Sequence, residues 1–199
     1  LYAFNHELAR SGEVATEPGL ALIRLQWWRE VVEGAVRRHE VAAPLRAAIA
    51  AGALPHNALL DMVAARETAV EGVATVDSWR DMQMLGPGSL SVASGFVLGV
   101  DVAAWPRLRG LGAAYGVAGT IRNALAGRGP GGLPADIATL ARTGLVLAGA
   151  PAPIPPHAAA AALPAVLARC DLRRLPRYVA ARGLSDRLAV IWGAARGLA

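Results

Sequence analysis

The sequence predicts a single all-α domain, and three observations carry that reading. Apolar residues recur at three- and four-residue steps through most of the chain, no segment alternates apolar and polar residues as a half-buried strand does, and neither a repeat nor a linker divides the 199 residues. That length suffices for one sizeable core, and a hydrophobic content of 54% excludes a disordered chain.

The elements follow in order. Leu1 to Glu13 opens the chain as a helix. From Pro18 to about His39, Leu20, Ile23, Trp27, Val31 and Gly34 keep the helical period, while Arg24, Arg29, Glu30 and Glu33 supply the polar surface and Pro18 suits the first turn. Ala43 to Ala51 forms a short helix, and Gly52 to His56 turns the chain into another from about Asn57 to Gly72. Asp77 and Ser78 precede the next run. Asp77 and Asp81 stand four residues apart, as a metal pair would, but at a helix start Asp77 reads as the N-cap and Asp81 as a first-turn carboxylate favoured by the helix dipole. Gly86-Pro87-Gly88 predicts a kink or break. Beyond it, Ser91, Gly95 and Gly99 place small residues on one stripe, for close helix packing or for a ligand.

Pro106 to Ala126 is the next helix, ended by the glycine-rich 127–132, and Leu133-Pro134-Ala135-Asp136-Ile137 starts a short one. Residues 143–168 contain no Asp, Glu, Lys or Arg and are long enough to span a bilayer, but Pro151, Pro153, Pro155, Pro156 and Pro164 interrupt them. No membrane span is expected there. Ala148 to Pro156 reads as an extended loop, followed by helices over Pro156 to Arg182 and Ser185 to Leu198, joined at Gly183. No signal peptide is visible, and because the chain starts within a helix an upstream segment is expected.

The net charge of +5 comes from 20 basic residues, every one an arginine, dispersed along the chain. Without a zinc-finger or RNA-binding aromatic signature, this pattern argues against nucleic acid as the partner. Cys170, the one cysteine, has no intramolecular partner, suits a reducing compartment and reads as a small buried filler. His6, His39, His56 and His157 lack zinc spacing, and Gly127 to Gly132 lacks the Lys-Ser/Thr ending of a P-loop. Trp27, Trp28, Trp79, Trp105 and Trp192 read as core or rim packing.

Leu1-Tyr2-Ala3-Phe4-Asn5-His6-Glu7-Leu8-Ala9-Arg10-Ser11-Gly12-Glu13 and Tyr115-Gly116-Val117-Ala118-Gly119-Thr120-Ile121-Arg122-Asn123-Ala124-Leu125-Ala126-Gly127 resemble the two helices that carry the aspartate-rich Mg²⁺ motifs in the squalene/phytoene synthase family. Phe4-Asn5-His6-Glu7-Leu8-Ala9 followed by Ile23-Arg24-Leu25-Gln26-Trp27-Trp28-Arg29, Arg66-Glu67-Thr68-Ala69-Val70-Glu71, and Ile121-Arg122-Asn123 with Leu133-Pro134-Ala135-Asp136-Ile137 resemble the branch that includes the mitochondrial complex I assembly factors. The resemblance spans 1–199 without an N-terminal helix typical of the family, and it implies an isoprenoid-synthase-like helical bundle around a central cavity.

The chain departs from that family where its metal is held. Carboxylates at i and i+4 share a helix face, and two such helices hold Mg²⁺ and a diphosphate between them. The corresponding positions here are Ala9, Arg10, Glu13, Asn123 and Gly127. Arg10 sets a cation where the metal would sit, and Gly127 offers no side chain. Metal-dependent prenyl transfer is therefore expected to be weak or lost, with no cofactor and no metal site.

Other residues acquire expected roles from the resemblance. Arg66, Glu67 and Glu71 are placed on the cavity side, where they would orient a polar head group, or else form a surface ion-pair network. Arg122 would hold a phosphate or carboxylate directly, or pair with Glu13. Arg169, Arg173 and Arg177 form an i, i+4, i+8 stripe, either a contact for an anionic membrane or acidic partner or simply a solvated face.

The expected function is non-catalytic binding or assembly, of a respiratory complex by the branch resemblance, with a prenyl- or quinone-like lipid in a retained apolar cavity. The expected location is cytoplasmic, peripheral at the inner face of a membrane. The competing expectation is an active head-to-head prenyltransferase on farnesyl or geranylgeranyl diphosphate, with Mg²⁺ on an atypical site drawn from Glu13, Glu67, Glu71 or Asp136. A third is a scaffold whose cavity is filled by side chains.

Overall fold

The computed structural model describes residues 1–13, 17–127, 133–175 and 183–197, apart from the side chain of Glu13. Every regular element among them is helical. The N-terminal layer comprises α1 (Tyr2–Glu13), α2 (Pro18–Val32), α3 (Ala42–Ala50) and α4 (His56–Glu71). Their apolar stripes meet in one core built from Phe4, Leu8, Leu25, Trp28, Leu59 and Met62. Phe4 packs edge-on against Trp28 with ring centroids 5.6 Å apart, a preferred aromatic geometry.

α2 ends at Val32, seven residues before the His39 boundary that the hydrophobic period suggests. Gly34 takes φ +111, a left-handed conformation that costs glycine little and other residues much, and the chain leaves the helix there. Residues 35–39 then cross back over α2, which brings His39 against the Trp27 and Trp28 rings at centroid distances of 5.7 and 5.1 Å.

The middle of the chain is α5 (Val76–Gln83), a π-helical turn (Met84–Gly88), and α6 (Ser89–Val97). Thr75, not Asp77, caps α5. Its Oγ1 accepts the Ser78 backbone N–H at 3.1 Å, while the Ser78 hydroxyl accepts the Thr75 N–H at 3.3 Å. Asp77 instead pairs with Arg80 at 2.9 Å. The expected kink at Gly86-Pro87-Gly88 is a single wide turn, which accommodates a proline without stopping the helix.

That turn is where α7 (Trp105–Leu125) crosses. A Cβ on Gly112 would strike Ser91 Oγ and the Pro87 carbonyl, and one on Gly116 would strike Gln83 Oε1 and the Pro87 ring. Glycines therefore permit the close approach. Arg109 of α7 secures it by donating from Nη1 to Asp61 of α4 at 2.9 Å, to the Ser89 hydroxyl at 2.6 Å and to the Met84 carbonyl at 3.3 Å. Gly95 faces Leu108 at sub-contact range for any added Cβ, so this part of the small-residue stripe serves packing.

α7 is also flanked by α8 (Ile137–Ala148) and α10 (Pro164–Arg174), with Val117, Ile121, Leu140 and Leu172 in their shared core. The charge-free stretch 143–168 runs from the second half of α8 through a loop, a 3-10 turn (Pro156–Ala158) and α9 (Ala159–Ala162) into the start of α10. Its alanines, including Ala158, Ala161, Ala162 and Ala165, pack against α6 and α7. Among the described residues no helix is long and apolar enough to cross a membrane. The chain closes with α11 (Leu184–Arg196), and the Ile154 N–H donates to the Gly197 carbonyl at 2.7 Å.

Candidate functional site

The residues that the sequence resemblance sets against the first acidic motif lie on α1. Ala9 is half-buried, and Arg10 is exposed and pairs with Glu7 of its own helix at 3.2 Å. The Glu13 side chain lies outside the described residues. The second set, Asn123 and Gly127, is exposed at the C-terminal end of α7. Ala9, Arg10 and Gly127 offer no side-chain oxygen to a Mg²⁺ ion, and Asn123 offers an amide oxygen where a carboxylate would bind more strongly.

The other carboxylates considered for a metal are committed elsewhere or stand apart. Glu67 receives a two-pronged contact from Arg29 of α2, Nε to Oε1 at 3.3 Å and Nη2 to Oε2 at 2.5 Å. The hydrogen bond to Glu67 holds the Arg29 guanidinium above its ordinary value, with burial opposing. Glu71 is exposed at the end of α4. Asp136 caps α8, accepting the Thr139 N–H at 2.9 Å and the Thr139 hydroxyl at 2.7 Å, and these bonds hold its carboxyl below the usual range. No group of three or more His, Cys, Asp or Glu residues converges among the described residues.

Arg122 donates from Nη1 to Asp171 of α10 at 3.2 Å. That contact lies between α7 and α10, and the expected pairing with Glu13 falls on a side chain outside the described residues. Arg66 lies half-buried on α4 beside Glu67.

The arginine stripe does not survive as drawn. Arg169 is 6% exposed and donates to the Ala148 and Gly149 carbonyls at 2.7 and 3.3 Å, closing the C-terminal end of α8 where orphan carbonyls and the helix dipole favour a cation. Burial, with Arg107 and Arg173 nearby, pushes its guanidinium below the ordinary value. Arg173 is exposed, and Arg177 lies outside the described residues.

A cleft of about 400 Å³ opens between α1 and α2, lined by Glu7, Arg10, Ser11, Arg24, Trp27 and His39 among others. His39 Nδ1 accepts the Val41 N–H at 3.1 Å, which leaves the ring proton on Nε2, 4.0 Å from Glu7. Ile23 and Trp27 also border a second cleft with Gln26, Glu30 and Arg37. Sequence reasoning missed this groove. The Trp27-Trp28 pair beside Arg24 was the available signal, but His39 reaches it only through the chain reversal at Gly34.

The all-helical arrangement is consistent with an isoprenoid-synthase-type bundle. The chain belongs to the squalene/phytoene synthase family, whose sequence model matches residues 1–139. The matched part runs from α1 into the first turn of α8 and includes Ala9, Arg10, Asn123 and Gly127. No curated protein and no solved structure matches the chain.

Proposed function

We propose that this protein is a non-catalytic member of the family that acts by binding or assembly. The observation that carries the reading is the donor set at the motif positions, where Ala9, Arg10, Asn123 and Gly127 supply no carboxylate. Glu13 is the one acid left there, and a single carboxylate is a poor anchor for the metal ions that accept a departing diphosphate. The commitments of Glu67 to Arg29 and of Asp136 to Thr139 count against an atypical site assembled from those residues.

A prenyl- or quinone-like lipid is the ligand that the family relationship suggests. Assembly of a respiratory complex is the role suggested by the likeness of 23–29 and 66–71 to the assembly-factor branch. The test is incubation of the purified protein with radiolabelled farnesyl and geranylgeranyl diphosphates, with and without Mg²⁺, scoring diphosphate release and lipid products. No turnover by folded protein is expected. Metal-dependent turnover lost in Glu13→Gln overturns the proposal.

A further inference from the structure

α11 carries four large apolar side chains into solvent. Leu184, Leu188, Ile191 and Trp192 are 72%, 55%, 63% and 59% exposed. Their i, i+4, i+7, i+8 spacing makes one continuous stripe. Its orientation is fixed at both ends. At the start, Asp186 is turned inward, accepting Arg174 Nη1 at 2.6 Å and the Gly183 N–H at 3.0 Å. At the far end the Gly197 carbonyl is held by the Ile154 N–H, and Gly193 is buried between these points. The apolar stripe is left facing outward while Asp186, the one acidic residue of the helix, faces inward.

The charge around the stripe has one sign. The two acids on the described parts of α10 and α11, Asp171 and Asp186, are 3% and 2% exposed and paired with Arg122 and Arg174. Arg173, Arg187 and Arg196 are exposed, and Arg196 lies over the Trp192 ring at 3.9 Å. Between Leu184 and Arg196 the exposed side chains are apolar or cationic, apart from Ser185.

We infer that α11 docks onto an anionic lipid surface, with Leu184, Leu188 and Ile191 entering the boundary between headgroups and acyl chains and Arg187 and Arg196 meeting lipid phosphates. The 13-residue helix is about 20 Å long, too short to span a bilayer, so it lies in the plane of the interface. Trp192 beside Arg196 suits the headgroup level, where indoles concentrate and long cationic side chains reach the phosphates. A protein partner fits less well, because the stripe offers almost no directional hydrogen-bonding groups to specify one. This inference is independent of the proposed loss of catalysis.

The test is co-sedimentation of the full chain with vesicles of phosphatidylcholine alone and of phosphatidylcholine mixed with phosphatidylglycerol. Wild type is expected to pellet with the mixed vesicles, less so as salt rises, and not with the neutral ones. The double variant Leu188→Glu, Ile191→Glu is expected to lose roughly ten-fold or more in partitioning. Circular dichroism should show it folded, since both positions face solvent. Arg187→Gln with Arg196→Gln, which spares the apolar stripe, is expected to weaken binding and flatten its salt dependence. Binding unchanged in the Glu variant overturns the inference. So does an absence of vesicle binding, including the case where sedimentation reveals a dimer dissolved by Ile191→Glu, or where an acidic protein occupies the face instead.

Discussion

Arg122 on α7 and Asp171 on α10 meet at 3.2 Å, the carboxylate 3% exposed and the guanidinium 23%. The pair joins the helix that bears the second motif positions to the helix beyond it. Burial is unequal, so the two partners tolerate loss unequally. Removing the guanidinium takes one donor from a carboxylate that is 3% exposed, whereas neutralising the carboxylate leaves a cation that still reaches water. Arg122→Met is expected to lower stability by about 1–3 kcal/mol, discounted for partial exposure. Asp171→Asn should cost less. Urea midpoints of the two variants decide it, and a neutral Arg122→Met would show that the pair contributes nothing to stability.

Glycines on α7 predict opposite outcomes within one helix. Gly112 and Gly116 sit where an added methyl meets the Pro87 backbone or ring, and that turn has little room to retreat. Gly112→Ala and Gly116→Ala are each expected to destabilise by about 1–3 kcal/mol. Gly119 has nothing within 4 Å of a built Cβ. Gly119→Ala should therefore stabilise by about 0.5–1 kcal/mol through helix propensity alone. Thermal unfolding of the three variants checks the sign at each site.

Helix order and most boundaries were legible because glycine, proline and the apolar period mark them locally. The overlong α2 shows where a local signal competes with another: apolar residues continue the period past Gly34, but a left-handed glycine ended the helix first. Arg169 shows a different limit. Its spacing with Arg173 and Arg177 is that of a surface stripe, and only the placement of the α8 carbonyls beside α10 draws it inside. The residue types at Ala9, Arg10, Asn123 and Gly127 are read directly from the sequence and need no structure. The α1–α2 cleft and the outward stripe of α11 depend on which face each helix turns to its neighbours, which periodicity leaves undetermined.

The donor set at Ala9, Arg10, Asn123 and Gly127 predicts indifference to Mg²⁺. A ligand stabilises a folded protein only to the extent that it binds the folded state. Millimolar Mg²⁺ is expected to leave the thermal midpoint unchanged, alone and with a non-hydrolysable farnesyl diphosphate analogue. An upward shift that requires both together would place a metal–diphosphate site in the folded protein.

Cys170 on α10 is half-buried, and burial pushes its thiol up, with Asp186 adding to the effect. The folded state therefore favours the protonated form. Since the thiolate is the reactive species, iodoacetamide at pH 8 should label the folded protein far more slowly than the protein unfolded in urea. The linkage has a fixed sign. A raised folded value means that the contribution to stability is complete below the unfolded thiol value of about 8.5 and declines as pH rises beyond it. Cys170→Ser should flatten that alkaline decline in a series of urea midpoints from pH 7 to 10, about the range over which the thiol titrates. An unchanged slope would mean that other groups carry the alkaline loss.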